Sequence, residues 1–68
     1  MKNILITGGA GGLGRAAVER FADAGCRVFS CDIRMQQSYP NVIPVTLDLR
    51  DTASIEAARE SIERQTRS

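Results

Sequence analysis

The chain has no histidine, no tryptophan, a single tyrosine (Tyr39) and a single lysine (Lys2) among its 68 residues. Without histidine, and with its two cysteines too far apart for a C-x-x-C pair, a metal centre has no ligand set. Those cysteines, Cys26 and Cys31, fall near the two ends of one predicted strand. A spacing of five sends them to opposite faces, so both are read as reduced packing residues of a cytoplasmic protein. Nine basic residues against eight acidic ones leave a net charge of +1, which offers no electrostatic footprint for nucleic acid or a membrane surface. The apolar run Ile4-Leu5-Ile6 is too short for a signal peptide or a membrane span, and glycines follow almost at once. No internal repeat or low-complexity segment is present. At this length a domain buries only about 60% of its unfolded surface, so any core it makes alone is marginal.

What the chain has in abundance is glycine, concentrated in one place. Five of the eight residues in Thr7-Gly8-Gly9-Ala10-Gly11-Gly12-Leu13-Gly14 are glycine. An apolar run leads into this stretch, and a helical pattern begins at Leu13. A flexible linker would not be flanked by a buried strand and an amphipathic helix. Strand, glycine-rich turn and helix in that order build a phosphate site: the backbone can be approached closely, and the first N–H groups of the helix face the anion. A nucleoside-triphosphate loop needs Lys then Ser/Thr after its last glycine, and Arg15-Ala16 stand there instead. The dinucleotide pattern G-x-G-x-x-G lies on Gly9, Gly11 and Gly14, and it draws its force from the strand before it, the helix after it and an acid at the end of the next strand.

Strand one is read as Lys2 to Thr7, apolar without alternation, as for a parallel strand covered on both faces. Helix one runs from about Gly12 to Ala24, with Leu13, Ala17, Phe21 and Ala24 on its buried face, Val18 flanking, an Arg15–Glu19 pair outside and Gly25 as the stop. Strand two is Arg27 to Asp32. Its terminal acid suits either a turn into Ile33-Arg34 or a ligand at the carboxyl end of an open parallel sheet. Asp32 stands 18 residues past Gly14, near the separation of about 20 expected of a ribose-binding acid. Ile33 to Asn41 is shorter than a helical crossover needs and reads as an irregular link ending in a Tyr39-Pro40-Asn41 turn. Strand three is Val42 to Leu47. Pro44 within it removes a ladder donor and is tolerated on an edge, so it supports the strand order 3-2-1. Asp51 should cap a final helix from Thr52 to about Gln65, with the narrow stripe Ile55, Ala58, Ile62 and the outer pairs Arg59–Glu63 and Glu60–Arg64.

These residues together resemble the N-terminal part of a short-chain dehydrogenase/reductase, and the likeness covers essentially the whole chain. It rests on the glycine motif with its leading threonine, on Asp32, and on the Asp48-Leu49 pair after strand three. The resemblance implies an α/β fold, a partial Rossmann (doubly wound) arrangement of three parallel strands with helices after strands one and three. Thr7, Gly8, Gly12 and Gly14 meet the pattern of the single-domain members, T-G-x-x-x-G-x-G. Thr7, Gly8, Gly11 and Gly14 equally meet that of the extended sugar-nucleotide epimerases and dehydratases, T-G-x-x-G-x-x-G. Arg15 directly after Gly14 and the long final helix are more like the single-domain type. By the resemblance, the glycines at 8, 11, 12 and 14 and the backbone at Leu13 approach a cofactor pyrophosphate. Asp32 then binds the adenosine ribose with Ile33 beside it, and Asp48 and Leu49 hold the adenine, although Asp48 reads equally as a strand-end turn. The cofactor expected is NAD rather than NADP, because Gly11 and Ile33 are uncharged where NADP-preferring relatives usually carry a basic residue, although Arg34 stands close enough to swing toward a 2′-phosphate.

The chemistry of that family needs a Tyr-x-x-x-Lys pair, a serine and usually an asparagine. Here Tyr39 is followed four residues later by Ile43, the lysine is Lys2, and Ser54 and Ser61 lie on the final helix. No residue is assigned as catalytic. Two classes stay open: the NAD-binding front end of an oxidoreductase that moves hydride between a nicotinamide cofactor and an alcohol or carbonyl, or a non-catalytic nucleotide-binding remnant. On the first reading residues 1–68 are the N-terminal part of a dinucleotide-binding domain, inactive alone, whose partner is the remainder of a longer chain or a second copy.

Overall fold

Three short apolar stretches form one parallel sheet, and the helices between and after them cover its two faces. The computed structural model describes residues 2–34 and 36–67. In order they form β1 (Asn3–Thr7), α1 (Gly12–Asp23), β2 (Arg27–Asp32), β3 (Val42–Thr46) and α2 (Thr52–Thr66). The sheet order is β1-β2-β3, the expected 3-2-1 arrangement read from its other edge. Ile4 pairs with Val28 and Val28 with Val42, so the three strands are level and all their carboxyl ends reach the same rim.

The two-residue period of β2 divides the core. Val28 points to the α1 side, where Val18 and Val42 complete a cluster edged by Ile4, Ile6 and Ala22. Phe29 and Cys31 point the other way and meet Val45 and Ala58, the latter from α2, with Ile43, Leu47 and Ile62 packed around them. Both cysteines are free thiols, and burial pushes the Cys31 thiol up.

Helix α1 turns a different face inward from the one its large side chains suggest. Leu13 is 89% exposed and Phe21 42% exposed, whereas Val18 is buried and Gly14, Ala17 and Ala22 are half-buried. Gly14, Val18 and Ala22 lie four residues apart and form the seam that meets the sheet. The cause is steric: a Cβ at Gly14 would collide with the Gly8 carbonyl, so the helix rests on the turn at that point and its rotation is set there rather than by Leu13. The helix ends as expected. Gly25, at φ +90, donates to the Ala22 carbonyl and Cys26 donates to that of Phe21, the two bonds of a Schellman stop.

Strand β1 is covered on one face only, not on both. Ile4 and Ile6 are half-buried against α1, but Leu5 on the opposite face is 53% exposed, because α2 lies over β2 and β3 and does not reach it. Pro44 sits in β3 at the sheet edge, where its missing N–H costs no ladder bond. The link from Ile33 to Asn41 has no helix among its described residues (Met35 lies outside them) and closes through a bridge between Tyr39 and Val42, with Asn41 at φ 70. Asp51 caps α2 by accepting from the Ala53 N–H at 3.0 Å. On the outer face Arg59 bridges Glu63 and also Glu56, while a Glu60–Arg64 pair is not among the ion pairs of the described residues. Arg27 holds the far end of α2, donating to the Gln65 carbonyl and to Asn3 with its guanidinium over the Phe29 ring.

Among the described residues β1 has one hydrogen-bonded neighbour, so its other edge presents unpaired backbone groups beside the exposed Leu5. Residues 1–68 produced alone should self-associate, or unfold with a stability below about 5 kcal/mol, the lower end for ordinary domains. Sedimentation velocity with urea unfolding checks this, and a monomer with a cooperative transition above that value contradicts it.

Candidate functional site

At the carboxyl rim of the sheet, β1 passes into the glycine turn. Gly8 adopts φ +73, a left-handed conformation that side-chain-bearing residues avoid, and this swings the chain across the end of β2. There the Gly8 and Gly9 N–H groups both donate to the Cys31 carbonyl, at 2.7 and 3.2 Å. Gly11 donates back to the Gly8 carbonyl at 3.1 Å and serves as the N-cap of α1. It has no side chain to cap the helix, and no acid stands in the first turn. The first intrahelical bond runs from Arg15 N–H to the Gly11 carbonyl, so the N–H groups of Gly12, Leu13 and Gly14 precede the ladder. A Cβ placed on Gly12 would stand in open space, clear of the rest of the fold by 4 Å. The arrangement can take an anion: uncapped donors and the positive end of the helix dipole, with no side chain on Gly11 or Gly12 in the approach.

Asp32 ends β2 and lies directly behind this turn. It is 6% exposed and fully engaged. One carboxylate oxygen accepts from the Arg34 N–H at 2.9 Å and from Arg34 Nε at 3.3 Å; the other accepts from the Ala10 N–H at 3.0 Å and from Arg34 Nη2 at 3.4 Å. The Arg34 backbone N–H, then its guanidinium, then the Ala10 N–H hold the Asp32 carboxyl down to about 2, against an ordinary value of 3.8. The acid is therefore ionised at any physiological pH and ties the glycine turn to the end of β2.

Asp48, after β3, repeats the pattern more openly. Its carboxylate accepts from Arg50 Nε at 3.0 Å and from the Arg50 N–H at 3.0 Å, and the Arg50 guanidinium followed by that N–H lowers its pKa. The Asp48 N–H donates to Ser54 Oγ at 2.9 Å, which fixes the loop on the first turn of α2.

Between the ends of the three strands runs an open groove of about 430 Å³. Gly8 lines it at one end, Asp32 and Ile33 in the middle, and Asp48 with Leu49 at the other. Five of the nine expected site residues are thereby brought together. Gly11, Gly12, Leu13 and Gly14 are not in the groove wall but form the adjoining start of α1. Leu13, at 89% exposure, presents its backbone there and not its side chain to the core.

Two contacts were not anticipated from the residues, the ion pair of Arg34 with Asp32 and the Ser30–Gln36 pair. The Arg34 guanidinium lies over Asp32 and reaches the turn, with Nη2 3.2 Å from where a Cβ on Gly11 would stand. Ser30, buried in the middle of β2, donates to Gln36 Oε1, and Gln36 Nε2 returns a bond to the Ser30 carbonyl at 2.8 Å. Gly9 packs on this pair so tightly that a Cβ there would collide with Ser30 Oγ. The available signal was Ser30 itself, since a hydroxyl inside an apolar strand must find a partner.

The fold and the rim geometry agree with what the chain is similar to. The family model for short chain dehydrogenase matches residues 2–68, and the chain belongs to that family. A curated relative, the short chain dehydrogenase/reductase dpchG of Colletotrichum higginsianum, is 53% identical over 36 residues, which are 53% of this chain and 13% of the relative. A short chain dehydrogenase from Bacillus anthracis superposes with a TM-score of 0.79 at 28% identity, covering 94% of this chain and 30% of that one. A uronate dehydrogenase mutant from Agrobacterium tumefaciens, solved in complex with NAD, gives 0.70 at 36% identity, covering 85% of this chain and 22% of that one. The chain thus spans less than a third of the length of each of these proteins. Among the described residues no helix is long and apolar enough to cross a membrane.

The Asp32 bonds carry a pH dependence whose sign follows from the lowered pKa. A carboxylate titrating lower in the folded state contributes its full stabilisation above its ordinary value of 3.8 and loses it as the pH falls toward about 2. In a carboxyl NMR titration Asp32 should show a midpoint near 2, and Asp32→Asn should flatten the acid limb of the pH–stability curve. A midpoint at the ordinary value contradicts the bonding described.

Proposed function

We propose that residues 1–68 are the N-terminal part of a dinucleotide-binding domain and hold the adenosine and pyrophosphate portion of NAD for an oxidoreductase. The observation that carries this is the pairing of an uncapped helix start facing open space at Gly12 with an ionised, buried acid a short way along the same rim. On this reading the N–H groups of Gly12, Leu13 and Gly14 receive the pyrophosphate, with Gly8 and Gly11 shaping the turn beneath it. Asp32 accepts from the ribose hydroxyls and Ile33 lies beside the sugar. Asp48 and Leu49 bound the adenine, Leu49 offering an exposed apolar side chain to one ring face. The nicotinamide end of the cofactor supplies the hydride exchanged with an alcohol or carbonyl in the complete protein. No residue of this chain is assigned to move a proton for that step, and Tyr39 is at the surface of the β2–β3 link, bonded to Gln37. The 68-residue chain alone is accordingly read as a cofactor-holding part without turnover. That a related uronate dehydrogenase was solved with NAD supports the choice of cofactor.

Gly12→Val tests the cradle. The site has room for a side chain, so the fold should survive, but the added methyls would stand where the pyrophosphate must come close. Calorimetric titration with NAD should show binding reduced by at least about a hundredfold, the scale of losing roughly 3 kcal/mol of charge-assisted bonds. Parent-like affinity would refute the assignment of the loop.

NAD should bind more tightly than NADP, by roughly tenfold if one repulsive contact worth about 1.4 kcal/mol separates them. The buried Asp32 carboxylate opposes a 2′-phosphate and neither Gly11 nor Ile33 carries a cation, while Arg34, the basic side chain near enough to turn toward that phosphate, is engaged by Asp32. Parallel titrations with the two cofactors check the order, and Asp32→Ala should narrow the gap. Equal or tighter NADP binding would reverse the reading.

A further inference from the structure

We propose that Arg34 is an internal competitor for the ribose-binding acid. Its guanidinium holds the acceptor positions of Asp32 that a ribose diol needs, and it must let go before a dinucleotide is seated. The inference rests on the reading of Asp32 as the ribose ligand.

A carboxylate offers about four lone-pair directions. Two of those on Asp32 are committed to the backbone, to the N–H groups of Ala10 and Arg34 at 3.0 and 2.9 Å. These bonds shape the turn and the strand end and are kept as long as the rim is folded. The other two go to Arg34 Nε and Nη2, at 3.3 and 3.4 Å. With the carboxylate 5% exposed at its side chain, no further acceptor direction is left for a sugar hydroxyl. The Arg34 side chain itself is 62% exposed, its two bonds are the long ones, and its backbone N–H anchors the residue independently of them. It can therefore leave without disturbing the turn. Its position adds a second obstacle, since Nη2 lies close to Gly11 and the guanidinium spans the gap between the acid and the phosphate-facing turn.

This reverses the sign expected of a cation beside a polyanionic cofactor. A guanidinium that served as a phosphate ligand would strengthen binding, and its removal would weaken it. A guanidinium that must first be displaced subtracts the worth of its own ion pair from the observed affinity. With the guanidinium half of the pair exposed and its two bonds long, that worth is small, a factor of about two to five.

The test is a calorimetric titration of the full-length protein with NAD, comparing the parent, Arg34→Gln and Asp32→Ala. Arg34→Gln should bind NAD about two- to fivefold more tightly, and Asp32→Ala more weakly than the parent. In the parent, the Arg34 Nε–H resonance should shift as NAD is added, reporting the exchange of its partner. If Asp32→Ala loses affinity while Arg34→Gln binds equally or more weakly, Arg34 is not a competitor, and the ribose reading stands without it. If the parent does not bind NAD, or Asp32→Ala binds as well as the parent, the ribose reading fails and takes this inference with it.

Discussion

The contact on which the rest of the molecule depends is that between Gly14 and the Gly8 carbonyl. No Cβ fits between them, so helix α1 can sit directly on the turn that leaves β1. That approach brings Val18 and Ala22 onto the sheet and sends Leu13 outward. It also leaves the first N–H groups of the helix at the sheet rim, beside the end of β2 where Asp32 emerges. The packing of the core and the geometry of the rim are thus two results of one steric condition, and they could not be changed separately.

The strands, the helix ends and the topology were legible because each is written in local chemistry. Gly25 stops α1, Asp51 caps α2, and Pro44 could only lie on an edge; all three are where their conformational limits place them. The rotation of α1 was not legible by hydrophobicity. Leu13 and Phe21 are the largest apolar residues of the helix and outweigh Gly14 and Ala22 in any count of side chains, yet a close backbone approach decided the matter. The same kind of error affected β1. Its unbroken apolar run suits a strand covered on both faces, whereas α2 does not extend far enough to cover Leu5.

At the rim, the glycine turn, Asp32 and the Asp48-Leu49 pair stood out because acids and glycines are misfits at the ends of buried strands. What pattern reading could not supply is the partner of each acid. Asp32 and Asp48 each take a guanidinium from two residues downstream, Arg34 and Arg50. Asp32, Asp48 and Arg50 line the groove, so its wall carries charge of both signs. An isolated arginine in a loop carries no such signal, because its long side chain has many partners within reach and only the folded rim chooses among them.

The Ser30–Gln36 pair gives the β2–β3 connection two unequal halves. Gln36 is pinned to Ser30 behind the glycine turn, with Gly9 pressed against the pinned hydroxyl, so the length of chain between these two residues is set by that span. From Gln37 to Asn41 the residues are exposed and end in a two-residue reversal at the entrance to β3. Extra chain inserted in the second half would loop into solvent at a small closure cost. Inserted in the first, it would pull the wall away from the back of the turn. Natural variation in the length of this connection is therefore expected to gather after Gln36, which marks the point where the segment stops being part of the rim and becomes a spacer.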